Sequence, residues 1–275
     1  MFNFLSKMSN LQQRLLVGIF GAAFIISGIC VSQWSYLFVI FCISIFSLIE
    51  FHNLLNSAGI STNKFVSVLL GLILLLGSFF VSEGYLKYTF YLFFVALAFI
   101  VFFIELFQTH DKPFERIAYS FLSVVYTVLP YALLNYVVFR SGQYDFRIIL
   151  GILFLIWAND TGGYFGGRYL GKHKLYERIS PKKTWEGSIS GALLSLVIAF
   201  ALHHFFPGFS IAIWIGLSLI IVVAGSLGDL VESQLKRSLS IKDSGSSIPG
   251  HGGFLDRFDG LIIALPFIVV YFELL

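Results

Sequence analysis

The chain has 275 residues, of which 57% are hydrophobic and only 12% charged, with 32 Phe and a formal net charge of +3. Soluble domains carry about 25% charged residues, and a soluble core of this length cannot hide so much apolar surface. Composition therefore excludes an ordinary soluble globular protein and indicates an all-α, polytopic integral membrane protein.

A spanning helix needs about 20 mostly apolar residues. Nine stretches meet that requirement, at about 12–32, 34–55, 65–82, 88–108, 117–139, 147–162, 186–206, 210–228 and 258–275. Lys7 and Arg14 ahead of the first imitate a signal peptide. No clear small-residue cleavage site follows, and many apolar segments come after, so a retained helix is expected. Cys30 and Cys42 lie inside apolar runs without disulfide or metal spacing and are expected to be small core residues. Residues 1–110 contain four of the apolar stretches and are expected to be a scaffold. Their acids Glu50, Glu83 and Glu105 fall near the ends of predicted helices, and no repeat or recognisable chemistry accompanies them. Residues 111–275 are expected to form the catalytic region.

With the N-terminus in the cytoplasm, only Lys87, Arg140 and Arg147 of the 18 Lys and Arg fall outside. The positive-inside rule then predicts a cytoplasmic N-terminus and an external C-terminus. It also puts two polar segments, 159–186 and 228–258, on the cytoplasmic face.

The first of these lies within "WANDTGGYFGGRYLGKHKLYERISPKKTWEG", residues 157–187. It contains neither a P-loop nor a strand-then-helix dinucleotide fingerprint, so the standard nucleotide folds are not indicated. Ser180, Lys182, Lys183 and Thr184 precede a helix whose early turn carries Glu186. A helix N-terminus beside two lysines is a seat for a triphosphate. Asn159 and Asp160 end the sixth stretch at the same face. Asp160 is suited either to orienting a Lys or Arg or to binding a metal indirectly. Trp185 reads as an interfacial anchor, and Lys172, Lys174 and Arg178 fit the positive-inside rule equally well.

The second segment opens with "GSLGDLVESQLKR", in which Asp229, Glu232, Ser233 and Lys236 fall at helical spacings and share one face. It closes with "FLDRFDG", in which Asp256 and Asp259 are three apart. Capping in a first helical turn would explain either of these two singly. It does not explain Asp229, near a helix C-terminus. Three carboxylates from two helix ends suit a hard cation such as Mg²⁺, shared with a substrate phosphate. Between them, "SGSSIPGHGG" lets backbone N–H groups approach an anion, while Lys236, Arg237 and Lys242 add positive charge. His251 is either a plain loop residue or a hydrogen-bond donor and proton carrier facing a phosphate. Cations beside carboxylates imply a metal–phosphate substrate.

These residues resemble the phosphatidate cytidylyltransferases, or CDP-diacylglycerol synthases. The family pattern is followed without departure through Ser233, Leu235, Lys236-Arg237, Lys242-Asp243, Gly245, Ile248-Pro249, His251-Gly252-Gly253-Phe254 and Asp256-Arg257-Phe258-Asp259. "GDLVES", "NDTGGYFGGR" and "SPKKTWEG" also look like the family's, and the likeness covers residues 155–260. It implies transfer of CMP from CTP to phosphatidate in phospholipid biosynthesis, giving CDP-diacylglycerol and pyrophosphate, at the cytoplasmic face of the cell inner membrane. The lipid phosphate would itself attack the α-phosphorus in line, which agrees with the lack of any Ser/His/Asp or Cys/His arrangement. The resemblance implies Asp229, Asp256 and Asp259 as metal ligands, with Lys236 completing the catalytic set. Ser180, Lys182, Lys183, Thr184, Asn159, Asp160 and Glu186 would serve the nucleotide, and Lys236, Arg237 and His251 the lipid phosphate. Mg²⁺ is the implied cofactor, K⁺ a second cation, and a homodimer the implied assembly, with no nucleic-acid partner. A CTP-dependent lipid kinase is the nearest rival, disfavoured by the complete pattern from His251 to Asp259. A CDP-alcohol phosphotransferase would need Asp pairs four apart, and a transporter would need mid-span acids in paired halves.

Overall fold

The computed structural model describes residues 10–241, 245 and 252–275, with side chains from residue 16 onward. Lys242 and His251 lie outside the described residues. Among the described residues the regular structure is helical apart from one small hairpin. In order it forms α1 (Asn10–Val31), α2 (Gln33–Ser57), α3 (Lys64–Ser82), α4 (Thr89–Leu106), α5 (Pro113–Thr127), α6 (Leu129–Val138) and α7 (Phe146–Leu170). There follow β1 (Lys174–Tyr176), β2 (Ser180–Thr184), α8 (Trp185–Phe205), α9 (Ile211–Ile220), a π-helical turn (Ile221–Gly225), α10 (Ser226–Ser238) and α11 (Leu255–Glu273).

Among the described residues, seven helical stretches are long and apolar enough to cross a membrane. They are α2, α3, α4, α5 with α6, α7, α8, and the continuous run Ile211–Ser238. The ninth expected stretch, 258–275, falls in α11, which holds Asp256, Arg257 and Asp259 in its first turns and fails the same criterion; the first falls in α1, which is apolar over the part with described side chains, Leu16–Val31. Large side chains stay uncovered along whole helix faces, such as Leu92 and Phe93 on α4 and Ile189, Leu193, Val197 and Phe200 on α8. Lipid is the solvent that tolerates such faces, since a soluble monomer rarely exposes patches of this size.

Local rules explain most helix ends. Ser32 caps α2 in a reciprocal box with Ser35, Asn63 accepts from the Val66 N–H at the start of α3, and Asp145 accepts from the Arg147 N–H at the start of α7. The fifth expected stretch is one span interrupted at Val128, two residues before Pro130, which has no N–H to continue the ladder.

The described residues fall into two compact units. The first comprises those of Met1–Ala132 with those of Asp243–Arg257; the second comprises Leu133–Lys242 with Phe258–Leu275. The contacts thus group the described residues of Asp243–Arg257 with the first helices. In the first unit α2, α3 and α5 pack together, and Gly71 lets α3 approach, since a Cβ there would lie 3.1 Å from Val128 and 3.2 Å from Leu48. The cysteines are not core residues: Cys30 is exposed and Cys42 only half covered, both free. A small apolar side chain costs nothing on a lipid-facing surface, so apolar surroundings in sequence do not mean burial here.

In the second unit the dominant contact is α7 against α8. The sequence ends the sixth stretch near residue 162, but α7 runs on to Leu170 straight through "TGGYFGG". Those glycines are helical because they face another glycine-bearing helix. A Cβ on Gly162 would lie 2.7 Å from the Ser190 carbonyl, one on Gly187 2.9 Å from the Gly163 carbonyl, and one on Gly191 2.6 Å from the Asn159 carbonyl. Small residues four apart let helix backbones touch in a membrane, and the packing outweighs glycine's poor helix propensity.

Candidate active site

β2 and the start of α8 form one wall of a cavity of about 480 Å³ in the second unit. The cavity is lined by Ser180, Lys182, Lys183 and Thr184 on one side, Asn159, Asp160, Gly163 and Arg168 of α7 on another, and Ser226 and Asp229 of α10 on a third. β1 and β2 pair antiparallel, Lys174 opposite Thr184. Lys182 is exposed, whereas Lys183 is half-buried. Lys183 Nζ lies 2.8 Å from Asp229 Oδ2 and donates to the Ser226 carbonyl at 2.9 Å, so it ties the hairpin to α10.

Thr184 is the N-cap of α8: its hydroxyl accepts from the Gly187 N–H at 3.2 Å. Glu186 does not line the cavity. Its carboxylate accepts from the Lys172 N–H at 3.0 Å and pairs with His173 Nδ1 at 2.6 Å, holding the loop that leads into β1. Asn159 is 8% exposed, and its Oδ1 has no hydrogen-bond partner among the described residues although it borders the cavity. A buried amide oxygen in that state has acceptor capacity to spare for a ligand.

The acids converge on α10 and α11. Asp229, Glu232 and Asp259 offer one carboxylate oxygen each within 4.8 Å of one another, an all-oxygen set that fits a hard cation. Two features build this cluster. The π-helical turn just before α10 shifts the register of the helix, a distortion often found at functional sites. Gly228 and Gly260 then let α10 and α11 meet, since a Cβ on Gly228 would lie 2.8 Å from the Asp259 carbonyl and 3.0 Å from Gly260 Cα. Lys236 Nζ reaches Glu232 Oε2 at 2.8 Å, one turn along α10, and Ser233 donates to Asp229 Oδ1 at 3.4 Å. The cluster of three carboxylates is thus bordered by two ammonium groups, Lys183 and Lys236.

Asp256 sits in the first turn of α11, where its Oδ2 accepts from the Gly253 N–H at 2.9 Å. Gly252 makes the turn possible, with φ of +87° and no room for a Cβ, which would lie 2.8 Å from Asp256 Oδ2. Arg237 is exposed at the end of α10, and His251 lies outside the described residues. Sequence reading placed Glu232 on the face of Asp229 but gave it no role; its spacing of three from Asp229 was the available signal. Arg168, on the cavity wall, carries no sequence signal beyond its place after a glycine pair.

Fold and cavity together define a polytopic membrane protein whose polar site combines a carboxylate cluster with ammonium groups on an adjoining wall. Residues 12–275 match the model of the cytidylyltransferase family. A phosphatidate cytidylyltransferase from Bacillus subtilis (strain 168) is 33% identical over 267 residues, covering 95% of this chain and 97% of that protein. Proteins of the same name from Staphylococcus aureus (strain COL) and Staphylococcus haemolyticus (strain JCSC1435) are 38% and 39% identical over 174 and 175 residues. Those two matches cover 62% of this chain and 65% of the staphylococcal proteins. The chain belongs to the cytidylyltransferase family.

Proposed function

We propose that this chain is a phosphatidate cytidylyltransferase of bacterial phospholipid synthesis. The observation that carries the reading is its identity, across nearly its whole length, with a Bacillus subtilis protein of that name. A phosphate oxygen of phosphatidate forms a bond to the α-phosphorus of CTP. The bond from that phosphorus to the bridging oxygen of the β-phosphate breaks, and pyrophosphate leaves with the electron pair. No protein nucleophile is needed, so the protein's work is positioning and charge neutralisation.

Ser180, Lys182 and Lys183 seat the triphosphate, aided by Asn159, Asp160 and the α8 N-terminus capped by Thr184; Glu186 supports that seat by holding its loop. Lys236, Arg237 and His251 receive the lipid phosphate. Asp229 and Asp259 ligate a divalent cation, Mg²⁺, with Glu232 or Asp256 as the third carboxylate. Such an ion, when bound, neutralises charge on the transferring phosphoryl group and the leaving pyrophosphate. A second cation such as K⁺, a homodimer, and an inner-membrane orientation with the site and N-terminus cytoplasmic and the C-terminus outside complete the reading. The skewed Lys and Arg distribution supports that orientation.

The test is direct. Purified protein with phosphatidate, Mg²⁺ and CTP labelled at the α-phosphate is expected to make labelled CDP-diacylglycerol, and EDTA is expected to abolish it. Label reaching the lipid only from the γ-phosphate would make the protein a kinase and overturn the proposal.

A further inference from the structure

The start of α11 is held from a point far away in sequence. The Leu255 N–H belongs to the first helical turn, whose donors have no acceptor within the helix. It donates to Glu50 Oε2 on α2 at 2.9 Å. Glu50 is 4% exposed and Leu255 fully buried. One turn earlier on α2, the Phe46 ring stacks on Phe254, centroids 5.0 Å apart and planes 24° apart. The other Glu50 oxygen, Oε1, faces Gly245 so closely that any Cβ there would collide with it. Two α2 residues at helical spacing therefore grip Phe254 and Leu255 at the start of α11, and the glycine of the preceding loop makes room for the gripping carboxylate.

A carboxylate buried in a membrane helix is expensive and calls for a use. Here it meets a helix N-terminus, where negative charge is favoured, and it answers a backbone donor that would otherwise be costly to bury. Asp256 ties the same turn locally, through the Gly253 N–H. Glu50 supplies the tie from outside the helix.

We propose that Glu50 is a positioning residue for the cytidylyl transfer. By accepting the Leu255 N–H it fixes the first turn of α11, and so the position of Asp256, which stands in that turn. The catalytic consequence rests on the proposed function; the anchoring itself does not.

The experiment compares Glu50→Ala and Glu50→Gln with the wild type in the same detergent or nanodisc. The glutamine keeps an acceptor oxygen and the alanine does not. Two readouts are taken: amide hydrogen exchange of the peptide covering residues 252–262, and steady-state kinetics with Mg²⁺ titration. Expected for Glu50→Ala is exchange faster by about tenfold or more in that peptide alone, as in a local opening. With it should come a kcat loss of about 10–100-fold, the scale of a misplaced catalytic group. Its KM for CTP should stay within about threefold and its Mg²⁺ requirement should rise, while Glu50→Gln recovers most of both readouts. Unchanged exchange in Glu50→Ala overturns the inference. So does faster exchange across all of α2 and α3, which would make Glu50 a general stability residue, and so does a Glu50→Gln variant as impaired as the alanine. If the wild type makes no CDP-diacylglycerol, the proposed function fails, and the exchange readout alone decides on the anchor.

Discussion

The two units treat polar side chains in opposite ways. In the first, His52 is sealed between α2 and α5, with Nδ1 2.7 Å from the Thr62 hydroxyl and Nε2 3.0 Å from the Ser123 hydroxyl. Nearby, the Asn63 N–H donates to Ser120 Oγ at 2.9 Å, and Glu105 meets Arg116 at 3.5 Å. His52 and Ser123 are fully buried, and Glu105 nearly so. In the second unit, Asp160 and Lys182 are exposed, Asn159 keeps a vacant acceptor, and the carboxylates crowd together beside lysines. Polar groups inside a membrane protein thus serve either as buried struts or as the lining of an open receptor. The difference lies in access: the first unit's groups are packed away among helices, whereas those of the second border a cavity.

The sharpest break of this comparison is at the carboxylates. Asp259→Asn or Asp229→Asn is expected to lower kcat by about 10²–10³-fold, the usual cost of losing one preorganised charge-stabilising group. The melting temperature should hold, because relieving like charges offsets lost contacts; wild-type rates in both variants would remove the metal assignment. A finer cut compares Glu232→Gln with Asp256→Asn in a Mg²⁺ titration. The variant whose Mg²⁺ requirement rises more identifies the third ligand, and the packing of Asp229, Glu232 and Asp259 within 4.8 Å favours Glu232.

Next in size is the helix contact beneath the cavity. Gly191→Leu forces a side chain into the Asn159 backbone and is expected to destabilise by about 1–3 kcal/mol or more. Thermal unfolding should show it, with activity lost in step. Lys183→Met should raise the KM for CTP by about tenfold, the scale of one charge-assisted hydrogen bond, with a smaller change in kcat. The smallest catalytic effect is expected in the sealed network. Ser123→Ala strips His52 of a partner and should cost about 1–3 kcal/mol of stability while leaving kcat per folded molecule unchanged. A kcat loss there would show that the first unit is no mere strut.

Much of this was legible in the residues. Helix existence and order followed from apolar runs, because a membrane span has a minimum length and must satisfy its own backbone. The residues of the cavity wall were readable too, since Ser180, Lys182 and Lys183 precede a helix start at Thr184, and a helix start draws anions. The helical course of "TGGYFGG" was not readable, because glycine runs signal loops unless a second small-residue surface lies opposite. In the sequence Glu50 reads as one acid near a helix end. Its partner is 205 positions away, a separation that no local spacing rule reaches.

The sequence by itself determined the class of solvent, the approximate spans and the chemical types gathered after residue 155. Those are sums and periods over neighbouring residues, and lipid enforces them strictly. Only the tertiary structure decided which carboxylates meet, which lysines are already paired, and what holds the first turn of α11. These depend on how closely two backbones approach, and at the α7–α8 and α10–α11 contacts that distance is set by glycines on the facing helices.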